Sequence, residues 1–158
     1  MGAGSSNDFS HDATLEDLVK ICKEFNRLGV HYLLIGGWSI ILTGHKNRVT
    51  QDIDFLVDTA PGNVAKIKQA LSILADQAAL EIDDNDLIEL GTVRVIDEVV
   101  IDLMDKIYEI SYQNATSTTI TIDGTEIALA DKETLIKIKG PSLRNKDKSD
   151  VAFLITLD

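Results

Sequence analysis

The spacing of apolar and polar residues along the chain predicts an alternation of helices and short strands. Apolar side chains recur every three to four positions in segments that begin near Thr14, Pro61 and Asp131, the spacing of helices with one buried face. Thr14 and Asp131 can cap a helix, and Gly29 can end the first one. A last helix is expected over roughly residues 146–157.

Short segments rich in β-branched and apolar residues favour strands instead, namely HYLLIG, DIDFLVD, LIEL, VRVI, VVIDLM, STTITI and TEIALA. A turn at Asp97-Glu98 is expected between VRVI and VVIDLM, and Asp123-Gly124 is a hairpin signal between the last two segments. A short helix, WSIILTG, is expected after Gly36-Gly37. Because helices and strands are interspersed, the sequence predicts an α/β (α+β) fold with a mixed β-sheet flanked by helices.

The composition fits one soluble globular domain, since 44% of the 158 residues are hydrophobic and 26% are charged. We expect a flexible N-terminal tail over residues 1–12 and a single domain over residues 13–158. No apolar run approaches the roughly 20 residues that cross a bilayer, and the first residues do not resemble a secretion signal. A cytoplasmic location is therefore expected. The single cysteine, Cys22, excludes an intramolecular disulfide and lies on an apolar helical stripe, as a core residue does.

Acidic residues outnumber basic ones by 26 to 15, so the formal net charge is −11 at pH 7. This balance argues against a general binder of duplex nucleic acid, whose affinity depends on neutralising phosphates. The surplus is local, because residues 72–126 contain 13 acidic and 2 basic residues and have a net charge of −11 by themselves. One local basic site elsewhere in the chain remains compatible with these numbers.

Three acidic residues and a glycine pair are the candidate chemistry. Asp52 and Asp54 are two apart on a predicted strand, so both carboxylates point to one face, and oxygen ligands at that spacing suit Mg²⁺. Asp102 interrupts the apolar segment VVIDLM, where a buried acid is costly unless something compensates it. If the two strands are neighbours, the three carboxylates form a cluster able to hold two metal ions. Gly36-Gly37, between a strand and a helix, can present backbone N–H groups to a phosphate.

Each of these features also has a structural interpretation. An Asp-x-Asp pair alone is more often a solvated edge or a turn, and a glycine pair alone is often a tight turn. Asp97 is the alternative third acid, but its neighbour Glu98 and the loss of apolar character there favour a hairpin turn, so Asp102 is preferred.

Together these motifs resemble a known family. The order of Gly36-Gly37, fourteen residues, Asp52-Ile53-Asp54 and a later Ile101-Asp102-Leu103 is similar to the nucleotidyltransferase fold of DNA polymerase β, CCA-adding enzymes and antibiotic adenylyltransferases. The run GGW…R-x-T-x-DID is particularly similar to aminoglycoside and lincosamide nucleotidyltransferases and to abortive-infection toxins. The resemblance extends from about residue 15 to the end, including the closing run LADKETLIKIKGPSLRNKDKSDVAFL.

The resemblance implies a Mg²⁺-dependent enzyme that transfers a nucleoside monophosphate from a nucleoside triphosphate (NTP) to an acceptor hydroxyl. It implies that Asp52 and Asp54 bind two Mg²⁺ ions, and that Asp102 is the acceptor-side ligand and activates the hydroxyl. Gly36 and Gly37 are implied to hold the triphosphate.

Ser39, Arg48 and Lys139 are further candidates for contact with the triphosphate. A serine at a helix start such as Ser39 commonly just caps the helix, and Arg48 either neutralises phosphate or pairs structurally with an acid. Lys139, or Arg144 in the loop that follows, can reach the β- or γ-phosphate, whereas a structural role would be the favourable placement of a cation at a helix C-terminus.

The acceptor is open at this level, and a small antibiotic, a tRNA end and a protein hydroxyl all fit. If the acidic segment 72–126 flanks Asp102, a cationic acceptor such as an aminoglycoside is favoured over tRNA, but a plain solvated acidic surface is the preferred explanation of the charge. A homodimer that completes the pocket is a further expectation. The alternative function is a non-catalytic nucleotide-binding or partner subunit with the same fold, such as a toxin–antitoxin component.

Overall fold

The computed structural model describes residues 10–157, which form a six-stranded sheet with helices on both faces. The helices are α1 Leu15–Leu28, α2 Gly36–Leu42, α3 Pro61–Leu71, α4 Asp86–Leu90, α5 Lys132–Lys139 and α6 Asn145–Ile155, with a 3₁₀ turn at Ala78–Glu81. The strands are β1 Tyr32–Ile35, β2 Ile53–Val57, β3 Thr92–Ile96, β4 Val100–Met104, β5 Lys106–Ile107, β6 Ile110–Ser111, β7 Ser117–Ile122 and β8 Thr125–Ala130.

The sheet mixes parallel and antiparallel pairs in the order β3-β4-β2-β1-β8-β7, while β5 and β6 form a separate short hairpin. β1 and β2 are antiparallel, and β2 and β4 are parallel. β3 pairs with β4, and β7 with β8, as antiparallel hairpins. The predicted α+β fold with a mixed sheet is confirmed.

Alternate residues of the central strands face two different cores, as the period of a strand requires. On one face, Leu34, Phe55 and Leu103 pack with α1 and α3 in the larger core. On the other face, Leu33 and Leu56 pack with α2, α5 and α6 in a smaller core. The acidic residues of β2 and β4 lie on this second face, at the margin of the smaller core.

The local signals for helix ends and turns are confirmed. Thr14 forms a capping box with Asp17, and Gly29 ends α1 in a left-handed conformation at φ +72°. Pro61 begins α3, and the Asp131 side chain accepts a hydrogen bond from the Thr134 N–H at the start of α5.

One strand prediction is wrong. The segment LIEL lies in α4, in which Leu87 is the buried residue while Ile88 and Leu90 are exposed. A run of four residues with three apolar side chains does not distinguish a buried strand from a short helix. Here the Asp83 N–H donates a hydrogen bond of 2.9 Å to Asp86 Oδ2, and this bond stabilises the turn that leads into the helix.

Most of the predicted tail, residues 1–9, lies outside the described residues. Within the described part, the Ser10 hydroxyl donates to the Asp97 carbonyl, and the His11 N–H donates to the Glu98 carbonyl at 3.0 Å. Residues 10 and 11 are thus bound to the β3–β4 turn. In the part of the chain described, no helix is long and apolar enough to cross a membrane. Cys22 is buried, and burial raises the pKa of its thiol to about 12, as for an inert core residue.

Candidate active site

The three candidate carboxylates lie close together on the second face of the sheet. In the parallel pairing of β2 with β4, Asp54 is directly opposite Asp102. Asp52 precedes β2 by one residue and lies two positions from Asp54, on the same face. The neighbouring strands that the motif required are therefore present, and the backbone register brings the acids together.

Asp54 is the member of this cluster least compensated by the protein. Its Oδ1 atom is inaccessible to solvent and accepts no hydrogen bond from the described residues. Burial, and then the negative charge of Asp102, raise the pKa of Asp54 to about 7. The fold disfavours the charged form of this carboxylate, and a bound cation would stabilise it. Carboxylates with such strongly shifted pKa values are typical of functional sites.

The side chains of Asp54 and Thr50 pack directly against the glycine pair, in the space that a Cβ atom would occupy. Gly36 has φ +71°, and a Cβ built on it would lie 2.3 Å from Asp54 Oδ2. A Cβ on Gly37 would lie 2.5 Å from the Thr50 Cβ. Since real Cβ atoms do not come this close to other heavy atoms, both positions exclude a side chain. The backbone of Gly36 therefore forms one wall of the carboxylate cluster.

Replacing Gly36 with alanine is expected to lower both the melting temperature and any transfer activity. The new methyl group must displace the Asp54 carboxylate, and a non-glycine residue at this φ adds about 1–3 kcal/mol of backbone strain. Gly62→Ala is the matched control, because nothing lies within 4 Å of its Cβ position and the residue is helical. Thermal unfolding and a transfer assay on both variants test this, and equal behaviour of the two would contradict the role of Gly36.

A fourth charged residue, Arg94 on β3, belongs to the cluster, although no motif in the sequence marks it. Its Nε donates to Asp102 Oδ1 at 2.9 Å, and its Nη2 donates to Asp102 Oδ2 at 3.0 Å and to Asp52 Oδ2 at 3.2 Å. Hydrogen bonding to Asp102 raises the pKa of Arg94 above its usual value. The expected two-residue turn at Asp97-Glu98 would place Arg94 opposite Ile101, whereas the observed turn spans residues 97–99 and places Arg94 opposite Asp102.

The predicted phosphate contacts have partners within the protein. The Ser39 hydroxyl, fully buried, donates to the Gly36 carbonyl at 2.6 Å within the first turn of α2, and it does not cap the helix, whose N-cap residue is Ile35. Arg48 donates to the two carboxylate oxygens of Asp150 at 2.8 and 3.1 Å. Lys139 is buried and pairs with Asp150 at 2.9 Å and with Asp147 at 3.3 Å. The structural alternative for Arg48 is thus observed, and a phosphate role for these residues stays a prediction.

Two aspartates of α6 anchor these cations. Burial opposes the ionisation of Asp150, but hydrogen bonds from Arg48 and Lys139 outweigh it and lower the pKa of Asp150. The same balance, with hydrogen bonds from Arg144 and Ser142, holds the pKa of Asp147 at about 2. This ion network joins α5 and α6 to the loop before β2, so the closing helices fix one side of the site.

Two clefts, each about 490 Å³, are lined in part by Asp54. One contains the carboxylate cluster and Gly37, and the other is walled by the β5–β6 hairpin and the α5–α6 loop. Their acidic lining residues are Asp52, Asp54, Asp102 and Asp147, and their basic ones are Arg48, Arg94, Lys106, Lys139, Arg144 and Lys146. A larger groove of about 910 Å³ runs along α1, away from the acids, and holds none of the predicted site residues.

The lining corrects the expected acidic wall. Among the acidic residues of segment 72–126, Asp102 is the one that lines either cleft. The rejected third acid, Asp97, is buried in the β3–β4 turn and accepts hydrogen bonds from the Asp76 and Ala78 N–H groups at 2.9 Å. Its carboxylate ties the segment after α3 to the β3–β4 turn, and the predicted hairpin turn at this position is confirmed. The local charge of the clefts therefore suits a polyanion such as a triphosphate.

The donor chemistry of the cluster fits Mg²⁺, which prefers carboxylate oxygens and is often bound together with substrate phosphates. Asp54 Oδ1 is buried and has no hydrogen-bond partner in the described structure, so it is available as a ligand. Between residues 10 and 157, however, no group of three His, Cys, Asp or Glu side chains is arranged to hold a metal ion as it stands. The guanidinium of Arg94 lies between Asp52 and Asp102, where it bonds to both.

Comparison with known proteins connects this chain to a family. The family model for aminoglycoside-2''-adenylyltransferases matches residues 17–154. The chain is similar to the solved structure of the lincosamide antibiotic adenylyltransferase LnuA bound to lincomycin, with 20% identity, a TM-score of 0.60, and 93% of this chain and 99% of that chain covered. A second similar structure is an antigenic nucleotidyltransferase-like protein from Paracoccidioides brasiliensis, at 17% identity, a TM-score of 0.52, and coverage of 92% and 77%. These two structures show the shared nucleotidyltransferase fold. A search of curated proteins gave no match.

Proposed function

We propose a specific reaction for this chain, which belongs to the aminoglycoside-2''-adenylyltransferase family: Mg²⁺-dependent transfer of an adenylyl group from ATP to a hydroxyl of a cationic aminosugar antibiotic. The family makes the chain an antibiotic nucleotidyltransferase. The observation that supports the reaction is that Asp54 lies opposite Asp102 in the sheet, with the Gly36 backbone against the Asp54 carboxylate.

The carboxylates of Asp52 and Asp54 would hold Mg²⁺ on the nucleotide side, and Asp102 would join them on the acceptor side. When bound, the metal ions neutralise the developing charge of the phosphoryl group that is transferred. Asp54 gains most from such a ligand, because its Oδ1 atom is buried without a hydrogen-bond donor in the described structure. The family resemblance and the donor chemistry support two ions.

The triphosphate would lie over Gly36 and Gly37, in the cleft whose five basic lining residues outnumber its three acidic ones. Arg144, with 74% of its side chain exposed, can turn toward a phosphate, and Lys146 lines the same cleft. Lys139 and Arg48 contribute positive charge from fixed positions, since both are tied to Asp150. Fixed charges stabilise a transition state efficiently because they need no reorganisation.

On the acceptor side, Asp102 would take the proton of the attacking hydroxyl. The hydroxyl oxygen would bond to the α-phosphorus as pyrophosphate departs. A general base must reach the proton it accepts. Both oxygens of Asp102 are engaged by Arg94, so this role requires the guanidinium to release at least one of them. The same pairing is the one observation that favours the alternative function, a non-catalytic nucleotide-binding subunit, because it neutralises two of the three acids.

The experiment that tests the reaction incubates the protein with each of the four NTPs, Mg²⁺ and either an aminoglycoside or a lincosamide. We expect the aminoglycoside, with ATP, to gain the mass of one nucleoside monophosphate while pyrophosphate is released. Transfer to the lincosamide alone would change the acceptor class. NTP binding by calorimetry without transfer to any acceptor would support the non-catalytic alternative, and the absence of metal-dependent NTP binding would overturn the proposal.

A further inference from the structure

We propose that Arg94 is a built-in cationic competitor for the metal site, and that it must leave Asp102 before one divalent cation can be shared by all three carboxylates. The proposal rests on the function proposed above and names the residue of this chain that controls the loading of its site.

The guanidinium engages the two outer acids and leaves the central one out. It forms a two-pronged pair with Asp102 at 2.9 and 3.0 Å and reaches Asp52 at 3.2 Å. Such planar pairing of arginine with a carboxylate uses both oxygens in the geometry that guanidinium favours. Asp54 is paired with Asp102 across the two strands, but its Oδ1 atom receives no hydrogen bond from the described residues. The positive charge therefore stands where a cation shared by Asp52 and Asp102 would stand.

The unequal exposure of the two partners supports a pair that can open. Arg94 has 56% of its side chain exposed and projects from β3, the edge strand of the sheet, whereas the Asp102 side chain is 10% exposed. Arg94 can therefore return to water at little cost, and the buried carboxylate needs a replacement cation. The Arg48–Asp150 pair is the opposite case, with side-chain exposures of 13% and 0%, and is a fixed structural contact.

The arrangement of the acids agrees with competition. Within residues 10–157, no three acidic or imidazole side chains are grouped to hold a metal ion as they stand, although the backbone register pairs Asp54 with Asp102. The strands are in place, and what remains is a side-chain movement that releases Asp102 and Asp52 from the guanidinium. A purely structural Arg94 would instead only stabilise the β3–β4 hairpin.

The test measures metal binding directly and needs no turnover. Mn²⁺ is titrated into the whole protein, and free Mn²⁺ is followed by electron paramagnetic resonance, for the parent, Arg94→Gln and Arg94→Lys. We expect Arg94→Gln to bind Mn²⁺ about tenfold more tightly or better, because hydrogen bonds between charged groups are the strong ones that the metal must replace. Arg94→Lys keeps the charge without the planar fork and is expected to bind more tightly than the parent but less tightly than Arg94→Gln. Arg27→Gln, which removes an exposed arginine of α1 paired with Glu24, is the matched control and is expected to match the parent.

The outcomes separate this inference from the proposed function. If Arg94→Gln and Arg94→Lys both bind Mn²⁺ no more tightly than the parent, Arg94 is not a competitor and the inference is overturned, whatever the transfer assay shows. If Arg94→Gln does not fold, as judged by circular dichroism, the comparison of Arg94→Lys with the parent decides. A lower melting temperature with unchanged Mn²⁺ affinity would assign Arg94 a structural role. Tighter Mn²⁺ binding without transfer in any variant would support the inference while the proposed reaction fails.

Discussion

Replacing Asp54 with asparagine is expected to lower adenylyl transfer by about 10³-fold, the loss typical of removing a central group that stabilises transition-state charge. Asparagine retains the size of aspartate but cannot supply the ionised oxygen that a metal ion needs. Initial rates with saturating ATP and acceptor measure the effect. Transfer within tenfold of the parent rate would contradict the assignment of Asp54.

The same substitution is expected to stabilise the metal-free protein at neutral and alkaline pH. Because burial and Asp102 raise the pKa of Asp54 to about 7 from a usual value of 3.8, the folded state binds this proton more tightly than the unfolded state. The free energy of unfolding therefore falls as the pH rises from about 4 to 7, and the loss is complete above the folded pKa. Asparagine does not titrate, so its advantage should grow from little near pH 4 to roughly 1–3 kcal/mol at pH 8.

Urea unfolding in the presence of a chelator, across this pH range, tests the sign. Asp58→Asn is the matched control, because Asp58 follows the same strand but accepts a hydrogen bond from the Ala60 N–H that lowers its pKa. We expect that variant to keep its transfer activity and to gain no stability with rising pH. A parent protein that becomes more stable between pH 4 and 7 relative to Asp54→Asn would show that the carboxylate is compensated by the fold.

Replacing Asp150 with asparagine is expected to cost about 3 kcal/mol of unfolding free energy, because it leaves two cations, Arg48 and the buried Lys139, short of their carboxylate. The KM for ATP is expected to rise more than kcat falls, since both cations line the proposed triphosphate cleft. Urea unfolding and steady-state kinetics measure the two effects. Glu24→Gln removes an acid of an exposed pair with Arg27 and is expected to change neither quantity.

The pH dependence of this contribution has the opposite sign to that of Asp54. The pKa of Asp150 is lowered in the folded state, so its pairing stabilises the protein above the usual carboxylate pKa and is lost as the pH falls through the folded value. Asp150→Asn should therefore differ most from the parent at neutral pH and least in acid. Equal destabilisation at all pH values would mean that packing, and not charge, is lost.

Much of the fold followed from short-range patterns. The capping box at Thr14, the glycine end of α1 and the Asp123-Gly124 hairpin are each fixed by a few neighbouring residues, and the structure confirms them. The strand prediction for LIEL was wrong because the Asp86 carboxylate accepts a hydrogen bond from the Asp83 N–H, and the apolar pattern does not indicate that contact. Periodicity identifies a segment well when the segment is long enough to show one.

By itself, the sequence determined the members of the carboxylate cluster. The spacing of two in DID and the isolated acid in VVIDLM assign Asp52, Asp54 and Asp102 to strands, and a strand has only two faces. The glycine pair was equally visible, although the reason for it, the contact of Gly36 with Asp54, is a tertiary distance.

Only the tertiary structure decided which cations the acids receive. Arg94 reaches Asp102 because β3 lies beside β4, and Arg48 meets Asp150, 102 positions later in the chain, because α6 packs against the loop before β2. Charged side chains form such pairs according to which elements meet in space. The sequence around an arginine does not indicate which carboxylate the arginine will contact. The sequence therefore located the negative charge of the site, and the packing of distant elements determined how that charge is balanced.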